Sequence, residues 1–213
     1  MTIPRPRRVS VLLFDGFELL DVFGPVELLS MLPDRVSVDF VGVQAGPVRS
    51  SQGAEVIAPR SLADAATERG ERAPDILLVP GGMGTRRLVD DRETLDALAR
   101  WAASANLVTS VCTGSAVLAA AGLLEGHRAT SNKLAFGWAR GHGDDVEWMP
   151  SARWVEDGDR WTSSGVAAGM DMTAALIGRL FGDDVALEAS NRIELETHPD
   201  PAWDPFAALN GLV

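Results

Sequence analysis

The chain has 213 residues, enough for one domain with a sizeable core that needs no disulfide or metal to hold it. Hydrophobic residues make up 46% and charged residues 23%, which excludes disorder over most of the length. The net charge is −11, from 30 acidic and 19 basic residues, and argues against a nucleic-acid partner, whose phosphates carry the same sign.

One cysteine excludes an intrachain disulfide and fits a reducing cytoplasm. The stretch Met1–Arg8 is basic but short. Only Val9 to Phe14 follow it before Asp15, too little apolar sequence for a secretory signal. The longest apolar run, Ala116–Leu124, falls well short of the ~20 residues that cross a bilayer. A cytoplasmic protein with no membrane contact is expected.

The first predicted strand is Arg8–Phe14, nearly continuous in apolar residues, as a strand buried on both faces should be. Asp15-Gly16 ends it. A helix is predicted over Leu20–Leu32, with Gly24-Pro25 near its first turn, where a missing N–H is tolerated. Val36–Val43 reads as a second strand, and Pro47–Pro59, with Gly53, as a hairpin. Ser61 caps a helix running to about Arg69. Asp75–Val79 is a buried strand that ends in Pro80-Gly81-Gly82-Met83-Gly84. A helix over Arg92–Ala103 leads to the strand Leu107–Val111, which runs directly into Cys112 and a small-residue helix, Gly114–Ala121.

Lys133–Arg140 reads as a short helix. Ser151–Val155 and Arg160–Ser163 form a hairpin around Asp157-Gly158. Val166–Phe181 and Asp184–Arg192 are the last helices, and the Pro-rich tail 197–213 is expected to be irregular. This alternation, without linker or repeat, predicts a single domain over 1–213. It is an α/β sandwich with a mostly parallel central sheet and helices on both faces. Such sheets carry their sites beyond the C-terminal ends of the strands. The loops after Phe14, after Val79 and at Cys112 should therefore meet.

Cys112 is the strongest chemical signal. A lone cysteine is most often a buried structural residue. Here it stands between a strand and a helix, with Gly114 and Ser115 just beyond, as at a nucleophile elbow. The following helix end is expected to favour thiolate. Gly81-Gly82-Met83-Gly84 follows a strand but lacks the Gly-Lys-Ser/Thr of a phosphate loop. It is either a turn that needs positive φ, or half of an oxyanion hole through the Gly82 amide. The other half would be the amide of Thr113 or Gly114. Asp21 interrupts an apolar run and is either a helix cap or an acid facing the cleft toward Cys112. His127, His142 and His198 stand apart at no ligand spacing, so no metal site is predicted.

Together these residues resemble a family. Thr109-Ser-Val-Cys-Thr-Gly-Ser115 looks like the elbow of the DJ-1/PfpI superfamily. Leu20-Asp-Val-Phe-Gly-Pro25, Val79-Pro-Gly-Gly82, Ala120–Gly126 with Arg128-Ala-Thr130, and Ser164–Asp171 match in order, so the resemblance covers about residues 8–192. It implies a flavodoxin-like three-layer sandwich and a homodimer. The Asp in Leu-Asp-x-x-Gly-Pro with Cys-Thr-Gly-Ser is similar to the isocyanide hydratase branch.

That resemblance implies Cys112 as nucleophile, Asp21 as its acid partner, Thr113 as an adjacent hydroxyl and amide, and Gly82 as a backbone donor. Gly81, Asn132, Ser164 and Gly165 become candidate pocket residues. It also implies a small electrophilic substrate and no cofactor. Asn132 stands where many relatives carry a histidine, which counts against Cys–His amidase or peptidase chemistry. The competing expectations are a glyoxalase- or deglycase-like enzyme and a redox-responsive regulatory protein. Some relatives are fused to helix-turn-helix domains, for which a chain ending at Val213 is expected to leave no room.

Overall fold

A computed structural model describes residues 5–213; residues 1–4 of the basic N-terminal stretch lie outside it. The chain begins with β1 (Arg7–Leu13), α1 (Leu19–Ser30) and β2 (Val36–Gly42). The expected hairpin follows as β3 (Gly46–Arg49) and β4 (Glu55–Ala58), paired antiparallel. Then come β5 (Arg60–Ser61), α2 (Leu62–Ala65), β6 (Ile76–Val79), α3 (Thr85–Leu88), α4 (Arg92–Ala102) and β7 (Leu107–Ser110). The elbow helix α5 (Gly114–Ala120) leads through β8 (Arg128–Ala129), α6 (Phe136–Ala139) and β9 (Glu147–Trp148). The chain closes with β10 (Trp154–Asp157), β11 (Arg160–Ser163), α7 (Ala168–Phe181), α8 (Asp183–Arg192) and α9 (Pro205–Leu209).

Seven strands form the central sheet in the order β10-β11-β7-β6-β1-β2-β5. Every pairing is parallel except β10 with β11. The continuous apolar runs sit at its centre. All four residues of β6 are buried, as are Val9 to Leu13 of β1. Fully burying one such side chain stabilises the fold by roughly 1.5–3 kcal/mol. From β1 the chain crosses to β2, and from β6 it crosses the opposite way to β7. Right-handed crossovers then put α1 and α4 on opposite faces. α1 packs with α7 and α8, whereas α2 packs on α4. The connections part between β1 and β6, which opens a crevice beyond their C-terminal ends.

Several boundaries differ from expectation. Ser61 does cap, its hydroxyl accepting the Asp64 amide at 3.2 Å, but α2 stops at Ala65. α6 covers only Phe136–Ala139, because Asn132 takes the Ala135 amide at 3.0 Å and starts the turn late. Pro25 lies inside α1 rather than near its start, and the neighbouring Gly24 packs directly on Met170 of α7.

The tail is not irregular throughout. Asp204 caps α9 through the Phe206 amide at 3.0 Å, and Pro205 follows at the first helical position, where its ring favours a helix. The preceding segment is pinned as well. The Pro201 carbonyl accepts the Arg153 amide at 2.8 Å, and Asp171 accepts the His198 amide at 2.9 Å. No helix among the described residues is long and apolar enough to cross a membrane.

Candidate active site

β7 ends at Ser110, and the chain turns sharply through Cys112, whose φ is 60°. A side chain in this left-handed region is strained and must be held from outside. The Cys112 amide donates to the carbonyls of Ser163 at 3.2 Å and Ser164 at 3.1 Å. Its carbonyl accepts the hydroxyls of Ser115 at 3.1 Å and Ser131 at 3.0 Å. Both polar backbone groups are therefore clamped from three other segments. A tight strand-to-helix turn thus carries Cys112, and the sulfur lines a cavity of about 480 Å³.

The amides of Thr113 and Val166 and the Thr113 hydroxyl lie against this sulfur and lower its pKa. Burial is stronger, with the negative charge of Asp21 adding to it, and the thiol is pushed up to about 12. The expectation of a resting thiolate is thus corrected. Among the described residues no histidine stands against the sulfur; the Thr113 amide at the start of α5 favours the charged form, but burial outweighs it, and the cation coupled to the sulfur is Arg86. Cys112 rests as a thiol.

Asp21 is the third residue of α1, in its first turn, and is fully buried. It does not cap the helix, since Glu18 occupies the N-cap. Its Oδ2 accepts the Gly81 amide at 2.8 Å. Its Oδ1 is buried and makes no hydrogen bond of good geometry, although the Cys112 thiol is close enough to lower its pKa. Burial dominates and holds Asp21 up at about 7, with Glu18 adding negative charge nearby. Carboxyl and thiol therefore form one proton-sharing pair.

Gly81 permits this approach. A Cβ there would stand 2.6 Å from the Thr113 amide and 2.8 Å from the Asp21 carboxylate. Gly82 has φ 120°, and a Cβ would meet the Gly16 carbonyl at 2.3 Å. The turn reading of the glycine loop is the one observed. The Gly82 amide is not a free oxyanion donor, because it donates to the Thr113 hydroxyl at 3.1 Å. The Gly114 amide is also spent, on the Val111 carbonyl at 3.0 Å. Thr85 completes the group: its hydroxyl donates to the Gly82 carbonyl at 2.7 Å and lies 3.1 Å from that of Thr113.

Among the other predicted pocket residues, Asn132 lines the cavity. Gly81 and Ser164 lie beneath it, one holding Asp21 and the other holding the Cys112 amide. Gly165 packs on Asn132, where a Cβ would fall 2.4 Å from Nδ2. Sequence reasoning missed three contributors. Val166 presents its amide because it too has positive φ, 38°, and no residue type announces that. Arg86 and Trp138 form a wall, with the guanidinium 3.4 Å from the indole centroid. The rim is apolar, carrying Met83 and Leu134 at 70% and 85% exposure.

The chain as a whole is similar to several known proteins. An isonitrile hydratase of Pseudomonas putida is 37% identical over 201 residues, spanning 92% of this chain and 81% of that protein. The HTH-type transcriptional regulator GbdR of Pseudomonas aeruginosa is 30% identical over 87% of this chain but only 50% of its own length. The crystal structure of a THiJ/PfpI family protein from Pseudomonas syringae superposes with a TM-score of 0.80 at 30% identity, covering 91% of this chain and 77% of that one. Residues 7–179 match the DJ-1/PfpI family as a whole, a span that holds the central sheet, the elbow cysteine and its carboxylate. The flavodoxin-like α/β chain described here belongs to the DJ-1/PfpI family.

Proposed function

We propose that this protein is a cofactor-independent isocyanide hydratase. One observation carries the reading: a buried carboxylate with an unoccupied oxygen stands beside a neutral thiol at the base of a partly apolar cavity. The similarity to the isonitrile hydratase supports it. At neutral pH the pair holds one proton more firmly on sulfur than on Asp21. Asp21 takes the thiol proton as sulfur attacks the terminal isocyanide carbon, and returns it to that same carbon. The first product is a thioimidate, R–N=CH–S–Cys112. Asp21 then takes a proton from water as the water oxygen adds to that carbon, and delivers the same proton to the imidate nitrogen.

The tetrahedral adduct R–NH–CH(OH)–S–Cys112 collapses to R–NH–CHO as the C–S bond breaks and the hydroxyl proton passes through Asp21 to the leaving sulfur, which restores the thiol. One water is consumed and every proton is accounted for. The Thr113 and Val166 amides stabilise negative charge on sulfur during attack and departure. Gly82 acts indirectly, by fixing the Thr113 hydroxyl. A thiol at about 12 counts against a redox sensor, since the thiolate is the form that peroxide oxidises.

The reading includes a homodimer working in the cytoplasm, as the family resemblance implies; size-exclusion chromatography with light scattering checks the dimer. Incubation with an aryl isocyanide tests the chemistry. Stoichiometric formamide is expected from the wild type and none from Cys112→Ala. Absence of turnover, or its survival in that variant, overturns the reading.

A further inference from the structure

The cavity has a second polar feature that the thiol chemistry does not use. Arg86 lines it, packed over the Trp138 ring at 3.4 Å, and the His142 ring meets the indole edge-to-face at 4.8 Å. The stack uses the face of the guanidinium and leaves its five N–H donors in the plane. Only one contact engages them, a long 3.4 Å approach to the Thr85 hydroxyl. Among the described residues, no carboxylate pairs with Arg86. Arg8 and Arg60 are similarly withdrawn from solvent, and both sit on Asp39. The Arg86 charge is coupled to the Cys112 sulfur, but no carboxylate neutralises it, so a partly desolvated guanidinium stands in the cavity with donors available to an anion from outside.

We propose that Arg86 on Trp138 is an anion subsite, and that the substrate is an isocyanide bearing a carboxylate. This rests on the hydratase reading and narrows it. A carboxylate suits the fork of the guanidinium and carries one charge. A phosphate dianion suits the cavity less, because Glu18 also lines it and Asp21 lies behind it. Glu18 does not compete for Arg86, since both of its oxygens are held by the Gln52 amide at 2.6 and 2.7 Å. The isocyanide carbon would reach Cys112 while the far end of the molecule meets Arg86. The apolar body between them would lie along Ala135 and Leu134.

The test compares 4-isocyanobenzoate with its methyl ester. In the wild type, kcat/KM for the acid is expected to exceed that for the ester at least about tenfold, the size of one charge-assisted contact. In Arg86→Gln that ratio is expected to collapse to about one, and Arg86→Lys, which keeps charge but not the fork, to fall between. A wild-type ratio near one overturns the proposal. So does a ratio that Arg86→Gln leaves unchanged while both rates fall, since that marks a role in supporting the fold or the sulfur. If neither isocyanide turns over, the hydratase reading fails, and the subsite is read separately through alkylation of Cys112. The rate ratio of iodoacetate to iodoacetamide is then expected to fall about tenfold in Arg86→Gln, and an unchanged ratio overturns the subsite itself.

Discussion

Two buried or half-buried carboxylates, Asp39 on β2 and Asp21 on α1, show how this molecule separates stability from reactivity. Asp39, on β2, is surrounded by donors: Arg8 at 2.9 Å, the Ser10 hydroxyl at 2.5 Å, and Arg60. Burial alone would raise its pKa, but these partners outweigh burial and hold it low. Asp21, on α1, is more deeply buried and has one amide donor and no cation, so burial wins and the carboxyl rises to about 7. A saturated carboxylate is inert and structural. An undersupplied one keeps a proton in play at neutral pH.

The sharpest way to break this contrast is to remove the partner that Asp21 acts on. Cys112→Ser is expected to lower turnover at least about a thousandfold, since a hydroxyl beside a carboxylate is a far weaker nucleophile. Formamide release measures it, and an unchanged melting temperature shows that the fold survives. Next is Asp21→Asn, which keeps the shape and removes the base. Turnover is expected to fall about a hundredfold or more. The remaining thiol should ionise at lower pH, because the Asp21 charge no longer opposes it; the pH dependence of Cys112 alkylation reads this directly.

Asp21 also predicts a slope in stability. Its folded pKa of about 7 lies above the ordinary 3.8, so the native state binds more protons than the unfolded chain between these values. Stability contributed by this group is therefore full below about pH 4 and is lost as pH rises through about 7. Asp21→Asn is expected to flatten that part of the melting curve against pH. The wild-type rate should rise over the same interval, as the base becomes free. Asp39 gives the opposite sign: its stabilisation is present above the ordinary carboxylate range and is lost in acid.

Smaller effects sharpen the same contrast. Asp39→Asn leaves Arg8 and Arg60 sharing an uncharged partner and is expected to cost about 1–3 kcal/mol by denaturant titration, with kcat unchanged. Ser10→Ala removes only one donor of the set and should cost about 1 kcal/mol.

The sequence made the frame of this site readable, because the frame depends on strong local signals. The apolar runs of β1 and β6 mark the sheet centre, and Leu107–Ser110 leading into Cys112 marks the elbow. The acid was legible as an intruder in an apolar helix, but its role was not. Capping and cleft-facing acids share the same spacing, and only the Gly81 contact across 60 positions decides between them. The thiol's protonation state was misjudged for a related reason. A helix end is visible in sequence, whereas the burial that overrides it arises from segments far apart along the chain. Val166 and the Arg86–Trp138 wall were hidden likewise, one in a backbone angle and the other in a contact between α3 and α6.

The clamp on Cys112 has a consequence for how this protein can change. The Cys112 backbone is fixed by hydrogen bonds to Ser163, Ser164, Ser115 and Ser131, and none of these residues lines the cavity. Glu18, Thr113 and Val166 line it close to the thiol, and the rest of the wall comes from two four-residue helices, α3 and α6, and the loops beside them. Selection, or a designer's library, can therefore rewrite the α6 side of the wall to admit new molecules while the backbone bonds that hold Cys112 stay as they are. The chassis and its fittings are encoded in separate stretches of the gene.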